Sequence, residues 1–255
     1  MKVVLFANNH VGANIAQAIV DAGDEIIGLV LHSEDRRRCG GEIIANAKLD
    51  LSQVIDGTTL RDPAVVARVA DMRADIGVSA FFGYILRKNI IDAFPMGVIN
   101  VHPALLPYNR GSYPNVWSIV DETPAGVTVH YIDEGVDTGD IILQREVQVT
   151  ATDTGETLYR KLEEVSVSLF KESWTNLQHQ DHQRRPQQSG GTSHKLRDVA
   201  AIDEIDLTRS YTGRELINIL RARTFPGYRG AYFIKDGRRV YLELSLRYED
   251  DGATQ

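Results

Sequence analysis

The sequence predicts an α/β fold in which a mostly parallel sheet is followed by a small α+β subdomain. Two observations predict this architecture. Over residues 1–177, short runs of strand-forming residues alternate with stretches of helical periodicity, which is the pattern of consecutive βαβ units. A polar linker at 178–198 then precedes a C-terminal subdomain at 199–255, where one helix and one hairpin are too small to expect independent stability.

The chain begins with a Rossmann-like β-α-β unit. A strand at 2–7 precedes apolar residues at helical spacing over 11–22, and a second strand follows at 25–31. The turn between Ala7 and Gly12 lacks the three glycines of the dinucleotide-binding fingerprint. The unit therefore predicts a fold and does not indicate an NAD site.

The next elements continue the alternation. A helix is predicted over 62–72, with Asp62 as its N-cap and Pro63 at its first position. A strand at 75–82 and a short helix at 88–93 lead to a central strand that ends at His102. Strands connected in this way form a sheet with helices on both faces.

Beyond the central strand, the spacing predicts a helix over 112–121 that is capped by Ser112. Strands at 126–132 and 141–149 flank an acidic loop. Asp153 and Glu156 have the spacing of a capping box, and a long amphipathic helix behind them extends to residue 177.

The C-terminal subdomain contains a predicted helix over 212–223. Strands at 231–234 and 240–246 flank Asp236-Gly237, which is a strong signal for a hairpin turn. The open edge of this hairpin makes a homodimer through the subdomain plausible.

The composition limits the classes of partner. A net charge of −7 argues against a general nucleic-acid binder. The single Cys39 excludes an intramolecular disulfide and any multi-Cys zinc site. The apolar run that follows Met1 is too short for a signal peptide or a membrane span, so we expect a cytoplasmic protein that does not associate with membranes.

The central strand carries the most informative polar pair. Asn100 and His102 are two residues apart in a strand, so they project from the same face. Pro103 ends the strand and places His102 at its carboxyl end, where open α/β sheets bind ligands. A satisfied polar cluster that holds a loop is the structural alternative for this pair.

Metal and serine chemistry are disfavoured. The sequence has no HExxH motif, no His-x-His pair on a strand and no Cys cluster, so no metal is expected. Ser112 does not lie in a Gly-x-Ser-x-Gly elbow, which disfavours a serine hydrolase.

Four motifs carry a resemblance to a known family. They are Asn100-Val-His102-Pro-Ala-Leu-Leu-Pro107, Arg110-Gly111, Gly126-Val-Thr128 and Asp137-Thr-Gly139-Asp140-Ile-Ile. In this order they resemble the formyltransferases that use 10-formyltetrahydrofolate, over about residues 1–175. That family includes methionyl-tRNA, glycinamide ribonucleotide and sugar N-formyltransferases.

The resemblance implies both a catalytic triad and a folate site. The triad would be Asn100, His102 and Asp137, with 10-formyltetrahydrofolate as the co-substrate. Two loops would hold the folate ring through Phe81, Phe82, Gly83, Tyr84, Ile85, Leu86, Asp133 and Gly135. Core packing explains the apolar loop at 81–86 equally well.

Formyl transfer suits these side chains. The amide of Asn100 can donate to the carbonyl oxygen as negative charge develops there. The imidazole of His102 can act either as a general base or, when protonated, as a second donor, and the sequence does not separate these roles. We expect Asp137 to orient His102 and to raise the pKa of its imidazole.

The C-terminal part suggests the acceptor. The segments at 190–195, 205–207 and 225–231 resemble the tail of sugar N-formyltransferases, whereas the acidic end at 249–251 disfavours tRNA. The implied substrate is a nucleotide-diphosphate-linked amino deoxysugar, used for surface glycans such as lipopolysaccharide O-antigen. Methionyl-tRNA formyltransferase, glycinamide ribonucleotide formyltransferase and an inactive folate- or sugar-nucleotide-binding module are the alternatives.

The predicted substrate contacts are cations and aromatic residues near the central strand or in the resembling tail. They are Tyr108, Asn109, Arg110, Tyr113, His194 and Tyr228.

Overall fold

The computed structural model describes residues 1–179, 181 and 183–249. Its strands are, in chain order, β1 (Lys2–Ala7), β2 (Glu25–Leu31), β3 (Val54–Asp56), β4 (Ile76–Ala80), β5 (Val98–His102), β6 (Arg110–Gly111), β7 (Ala125–Tyr131), β8 (Ile141–Val147), β9 (Ser193–His194), β10 (Tyr232–Lys235) and β11 (Arg238–Tyr241). Its helices are α1 (Asn9–Asp21), α2 (Gly40–Asn46), α3 (Pro63–Asp71), α4 (Lys88–Ile91), α5 (Pro114–Val120), α6 (Gly155–Gln178), α7 (Leu196–Asp203) and α8 (Gly213–Arg223).

Seven strands form the central sheet in the order β3-β2-β1-β4-β5-β7-β8. The first five of them are parallel, and β7 and β8 add two antiparallel strands at one edge. The predicted mostly parallel α/β sheet is confirmed. Since β5 pairs with β7, Asn100 lies opposite His130 and His102 lies opposite Thr128.

Helices cover both faces of the sheet, as predicted. On one face, the apolar sides of α1 and α6 pack on the sheet in the larger hydrophobic core, which includes the buried rings of Phe170 and Trp174. On the other face, α3 and α4 contribute Val69 and Ile90 to a smaller cluster around Phe6. The sheet is therefore buried on both sides, which accounts for its nearly continuous apolar strands.

The predicted cap of α3 is confirmed, because Asp62 Oδ1 accepts the N–H of Ala64 at 2.9 Å.

The predicted cap of α5 is wrong. The N-cap residue of α5 is Tyr113, whose backbone is left-handed at φ 57°, and the helix starts at Pro114. Ser112 instead donates its backbone N–H to the carbonyl oxygen of His194, which holds it outside the helix.

The capping box of α6 is displaced by one residue from its predicted position. It joins Thr154 and Thr157, whose side chains each accept the other's backbone N–H. Asp153 is occupied elsewhere, because its carboxylate accepts the N–H of Thr150 and binds Lys161 Nζ at 2.7 Å. The polar partners of Asp153 and Thr154 therefore decide which of these two adjacent residues caps α6.

Five of these strands and helices were not predicted, namely β3, β6, β9, α2 and α7. Strand β3 has three residues, β6 and β9 have two each, and α2 begins with two glycines, which are poor helix formers. Short elements of this kind contain too little periodic sequence to be recognised. Their formation depends on contacts with the rest of the fold.

The C-terminal subdomain contains α8 and the hairpin of β10 and β11, which turns at Asp236-Gly237 as predicted. Its own apolar cluster has only three buried members, Ile205, Ile219 and Ala231. The subdomain docks on the core through Arg221, whose Nη1 donates to the carbonyl oxygens of Thr150 and Asp153. Of the acidic end at 249–251, residues 250 and 251 lie outside the described residues.

Part of the segment that the sequence predicts as a linker lies along the core. We call residues 183–195 the strap. Arg185 forms an antiparallel bridge with Ile141 at the start of β8, and β9 pairs in parallel with β6. The strap is held by backbone hydrogen bonds that its polar composition does not reveal. Among the residues that the structure describes, no helix is long and apolar enough to cross a membrane.

Candidate active site

A cavity of about 480 Å³ lies at the carboxyl ends of β4 and β5. Asn100, His102 and Asp137 all line it, so the structure brings the three predicted catalytic residues together. The Phe81–Leu86 loop forms one wall, and residues 135–137 form another. This position agrees with the ligand site of open α/β sheets.

Asn100 is held by a cross-strand partner on β7. Its Nδ2 lies 3.2 Å from His130 Nε2 and 3.5 Å from Asp137 Oδ1. His130 is almost fully buried, and its Nδ1 lies 2.8 Å from the carbonyl oxygen of Tyr131. In the neutral ring, Nδ1 carries the hydrogen that this carbonyl oxygen accepts, and Nε2 accepts from Asn100 Nδ2. This contact orients the amide group of Asn100.

His102 is buried, and one ring nitrogen faces two acceptors. Its Nε2 lies 3.2 Å from the carbonyl oxygen of Asn109 and 3.5 Å from Asp137 Oδ2. These acceptors place the hydrogen of the neutral ring on Nε2 and leave the lone pair on Nδ1. Within the described part of the chain, Nδ1 has no hydrogen-bond partner. The ring therefore presents a free basic nitrogen.

The pKa of His102 differs in direction from the sequence-based expectation. Burial lowers the pKa of its imidazole, and this outweighs the attraction of Asp137, which raises it; the nearby His130 lowers it further. The pKa of His102 therefore lies below the ordinary histidine value of 6.5. The expectation that Asp137 would raise the pKa considered the charge pair and not the cost of desolvating an imidazolium.

Asp137 is ionised and firmly held. Its carboxylate Oδ2 accepts the backbone N–H of Gly111 at 2.8 Å. Burial raises the pKa of Asp137, but His102, His130 and the Gly111 N–H together hold that pKa well below its usual range. The backbone of Asp137 is left-handed at φ 54°, which is uncommon for a residue with a side chain.

The 81–86 loop combines core packing with an exposed apolar tip. Leu86 is buried, whereas Ile85 is 77% exposed beside the cavity. Gly83 donates its N–H to His32 Nε2 at 2.9 Å, and the rings of Phe82 and Tyr84 pack against His32. The sequence left core packing and folate binding open for this loop: Leu86 packs in the core, and folate binding at the exposed Ile85 stays a prediction.

The residues of the second predicted folate loop also differ in whether they line the cavity. Gly135 lines the cavity together with Val136, which is 50% exposed. Asp133 does not line it, because its carboxylate accepts the N–H of Gly135 and the hydroxyl of Thr138. Asp133 thus shapes the loop instead of facing the cavity.

Four of the predicted substrate contacts lie away from this cavity. Tyr108, Tyr113 and Tyr228 are partly or largely exposed and do not line it. Asn109 is fully buried, with its amide donating to Ser118 and Thr123. The sequence placed these residues near His102 or in the resembling tail, but their side-chain directions depend on the turns between them.

Arg110 and His194 have different surroundings. Arg110 does not line the cavity, and it donates from Nε and Nη2 to Gln187 Oε1 on the strap at 3.1 and 2.6 Å. His194 does line it; its ring stacks on Trp117 at 4.0 Å, and its Nε2 lies 3.0 Å from Asp121 Oδ2.

The sequence analysis missed His130. The signal was available, because Thr128 and His130 alternate on β7 and an antiparallel neighbour would place His130 beside Asn100. The pairing partner of β7 was not predictable from local pattern. In the described ranges, no group of three or more His, Cys, Asp or Glu side chains has an arrangement that could hold a metal ion.

Two family models match the chain. The model described as formyl transferase matches residues 53–173, and the model of the N-formyltransferase dimerization C-terminal domain matches residues 198–248. Methionyl-tRNA formyltransferase of Clostridioides difficile (strain 630) is 30% identical over 227 residues, which cover 87% of this chain and 73% of the relative.

Two solved structures are similar to the whole fold or to most of it. A sugar N-formyltransferase from Shewanella sp FDAARGOS_354 has a TM-score of 0.84 and 25% identity, with 98% of this chain and 99% of that chain covered. The formyltransferase PseJ from Anoxybacillus kamchatkensis, in complex with UDP-4,6-dideoxy-4-formamido-L-AltNAc and tetrahydrofolate, has a TM-score of 0.59 and 29% identity, covering 79% and 89% of the two chains.

Proposed function

The chain belongs to the formyltransferase family and is an N-formyltransferase, and we propose that it formylates the amine of a nucleotide-diphosphate-linked amino deoxysugar. The formyl donor is 10-formyltetrahydrofolate. The observation that carries the chemistry is the convergence of Asn100, His102 and Asp137 on one cavity. The sugar acceptor is supported by the similarity to a sugar N-formyltransferase over 98% of the chain.

The reaction makes one C–N bond and breaks another. The neutral amine of the sugar attacks the formyl carbon, and negative charge develops on the carbonyl oxygen. The amine nitrogen then loses a proton, the bond between the formyl carbon and N10 breaks, and N10 gains a proton. The products are an N-formylated sugar and tetrahydrofolate.

Asn100 stabilises the developing oxyanion in this proposal. Asn100 Nδ2 lies 3.2 Å from His130 Nε2 and 3.5 Å from Asp137 Oδ1, so its contact with the carboxylate is the weaker of the two. We propose that Nδ2 donates to the substrate oxygen in place of this weaker contact. A preorganised donor of this kind is typically worth about 3 kcal/mol in the transition state.

His102 accepts the proton of the amine. Its lowered pKa keeps the imidazole neutral at pH 7, and the neutral form has the lone pair that a base requires. The carboxylate of Asp137, whose Oδ2 lies 3.5 Å from Nε2, stabilises the positive charge that forms on the ring during transfer. The neutral ground state favours a base over a protonated donor, which the sequence could not decide.

The folate ring is proposed to lie between the two loops. Ile85 and Val136 both line the cavity and expose apolar side chains, which a flat heterocycle would cover. Burial of such side chains contributes about 1.5–3 kcal/mol each when it is complete.

The remaining parts of the proposal concern assembly and context. The match of 198–248 to a dimerization domain supports a homodimer through the C-terminal subdomain. The product would supply glycosyltransferases that build surface glycans such as lipopolysaccharide O-antigen. We place the reaction in the cytoplasm, where sugar nucleotides and folates are both available.

Methionyl-tRNA is the second candidate acceptor, favoured by the 30% identity to a methionyl-tRNA formyltransferase over 87% of this chain. The net charge of −7 disfavours a polyanionic substrate, because phosphate binding relies on Lys and Arg that outnumber nearby acids. The amino sugar remains the better candidate.

A turnover panel tests the proposal. The protein is mixed with 10-formyltetrahydrofolate and, in turn, UDP- and dTDP-linked 4-amino and 3-amino deoxysugars, glycinamide ribonucleotide and Met-tRNA, and tetrahydrofolate release is measured. We expect release with an amino sugar and no release with the other two acceptors. Turnover with Met-tRNA alone would replace the acceptor, and binding without any turnover would indicate an inactive module.

A further inference from the structure

The strap places one glutamine against the loop that carries Asp137. Gln187 Nε2 donates to the carbonyl oxygen of Asp137 at 2.8 Å and to that of Gly139 at 2.9 Å. We propose that Gln187 is a positioning residue that fixes the carboxylate of Asp137 against His102. This inference rests on the role of Asp137 in the proposed function.

The amide group of Gln187 is fully used. Both hydrogens of Nε2 have carbonyl acceptors, and Oε1 accepts from Nε and Nη2 of Arg110. A primary amide offers two donors and one acceptor oxygen, so this side chain satisfies all of them in one geometry. Such complete pairing restricts the position of each partner.

These contacts link Gln187 to Asp137 by two routes. From Gln187, one path leads to the carbonyl oxygen of Asp137. The other leads through Arg110 to the adjacent Gly111, whose N–H donates to Asp137 Oδ2 at 2.8 Å. Gln187 therefore holds both the backbone of Asp137 and the residue that binds its side chain.

Asp137 needs such support because its backbone conformation is unfavourable in isolation. At φ 54° it occupies the left-handed region, which is disfavoured for residues with a Cβ, although aspartate adopts it more readily than most of them. Without donors to its carbonyl oxygen, the loop can relax to other conformations. A carboxylate displaced by about 1 Å from its productive position can cost about 100-fold in rate.

The proposal predicts an effect on His102 that does not depend on turnover. The ionisable groups facing His102 are Asp137 in the loop and His130 on β7. Asp137 favours the imidazolium, so moving its carboxylate away should lower the pKa of His102 further. A strap with a purely structural role would change stability and leave this titration unaltered.

The test is an NMR pH titration of the His102 ring in the full-length protein. Gln187→Ala should move the midpoint to lower pH, whereas Gln188→Ala, at an exposed neighbouring position, should leave it unchanged. Asp137→Asn should give the largest decrease in the His102 midpoint, because it removes the negative charge itself. A His102 midpoint identical in Gln187→Ala and in the unsubstituted protein would overturn the proposal.

Kinetics give a second readout, measured with the amino sugar that turns over in the panel. Gln187→Ala should lower kcat by about 10- to 100-fold with a smaller change in KM. Gln187→Glu keeps an acceptor for Arg110 but has no donor for the two carbonyl oxygens, so it should lose at least as much. Full activity of Gln187→Glu would contradict the role of the donors.

The two proposals fail in different ways. In an Asp137→Asn background, Gln187→Ala should have a much smaller effect on kcat, because the residue through which it acts is already lost. An active Asp137→Asn enzyme would refute the catalytic role of Asp137 itself. An inactive Asp137→Asn enzyme beside a fully active Gln187→Ala enzyme would refute only the positioning role.

Discussion

Gly111 and Asp137 are joined by a hydrogen bond of 2.8 Å between a backbone N–H and a partly buried carboxylate oxygen. Gly111 also pairs with His194 in the short β6–β9 ladder, with a left-handed backbone at φ 90°. The charge that faces His102 is thus held by main chain that only glycine fits. The Arg110-Gly111 motif gains its physical meaning from this contact.

Gly111→Ala should therefore lower both activity and stability. An added Cβ would lie 2.3 Å from the carbonyl oxygen of His194, which forces the two strands apart and moves the donor from Asp137. Gly190→Ala is the matched control. Gly190 has a similar φ of 93°, but nothing lies within 4 Å of an added Cβ. We expect Gly190→Ala to cost about 1–2 kcal/mol in urea unfolding and Gly111→Ala to cost more and to lower kcat. Equal unfolding free energies for the two variants would contradict the close contact.

The rate should increase with pH along a limb centred below pH 6.5. The pKa of His102 is lowered by burial, so if its neutral form is the base, as proposed, kcat/KM rises as the ring loses its proton, and this contribution of the ring is complete near pH 7. If the protonated ring were the active donor, kcat/KM would instead fall as pH rises through the same range. A pH–rate profile of the unsubstituted protein distinguishes the two.

His102→Ala should lower kcat by about 100- to 10,000-fold, as expected for loss of a general base. Tetrahydrofolate release measures the loss, and circular dichroism checks that the fold is retained. His179→Ala, at an exposed residue beyond the end of α6, is the control and should keep full activity. A His102→Ala enzyme with unchanged kcat would show that another group takes the proton.

Ile85→Ser should raise the KM for 10-formyltetrahydrofolate by about 10-fold, because about 1.4 kcal/mol of apolar burial on binding would be lost. The free protein should lose little stability, since this side chain is already 77% exposed. Leu51→Ser, at a residue 67% exposed and outside the cavity, is the control. If both substitutions leave the KM unchanged, the folate ring does not cover Ile85.

Val240→Asp should shift the protein towards monomers in sedimentation velocity experiments. Ile234, Val240 and Tyr241 are each at least 40% exposed on the β10–β11 hairpin, within the segment that matches a dimerization domain. A charge in a buried interface is costly unless it is paired. Leu51→Asp, in the core domain, should keep the oligomeric state of the unsubstituted protein. A dimer that survives Val240→Asp would place the interface elsewhere.

The sequence determined the sheet and the position of the polar pair. Strand periodicity is local, so the alternation around Asn100 and His102 and the proline after them were sufficient to place both side chains at the carboxyl end of β5. The same applies to the long amphipathic helix and to the Asp236-Gly237 turn, which depend on neighbouring residues only.

Only the tertiary structure decided the partners of these groups. His130, Gly111 and Gln187 reach the site across β7, the β6–β9 ladder and the strap, through contacts between residues distant in sequence. The direction of the His102 pKa was likewise set by burial, which no local pattern reports. Local sequence fixes which way a side chain points from its strand, whereas its charge state and its orientation depend on the whole fold around it.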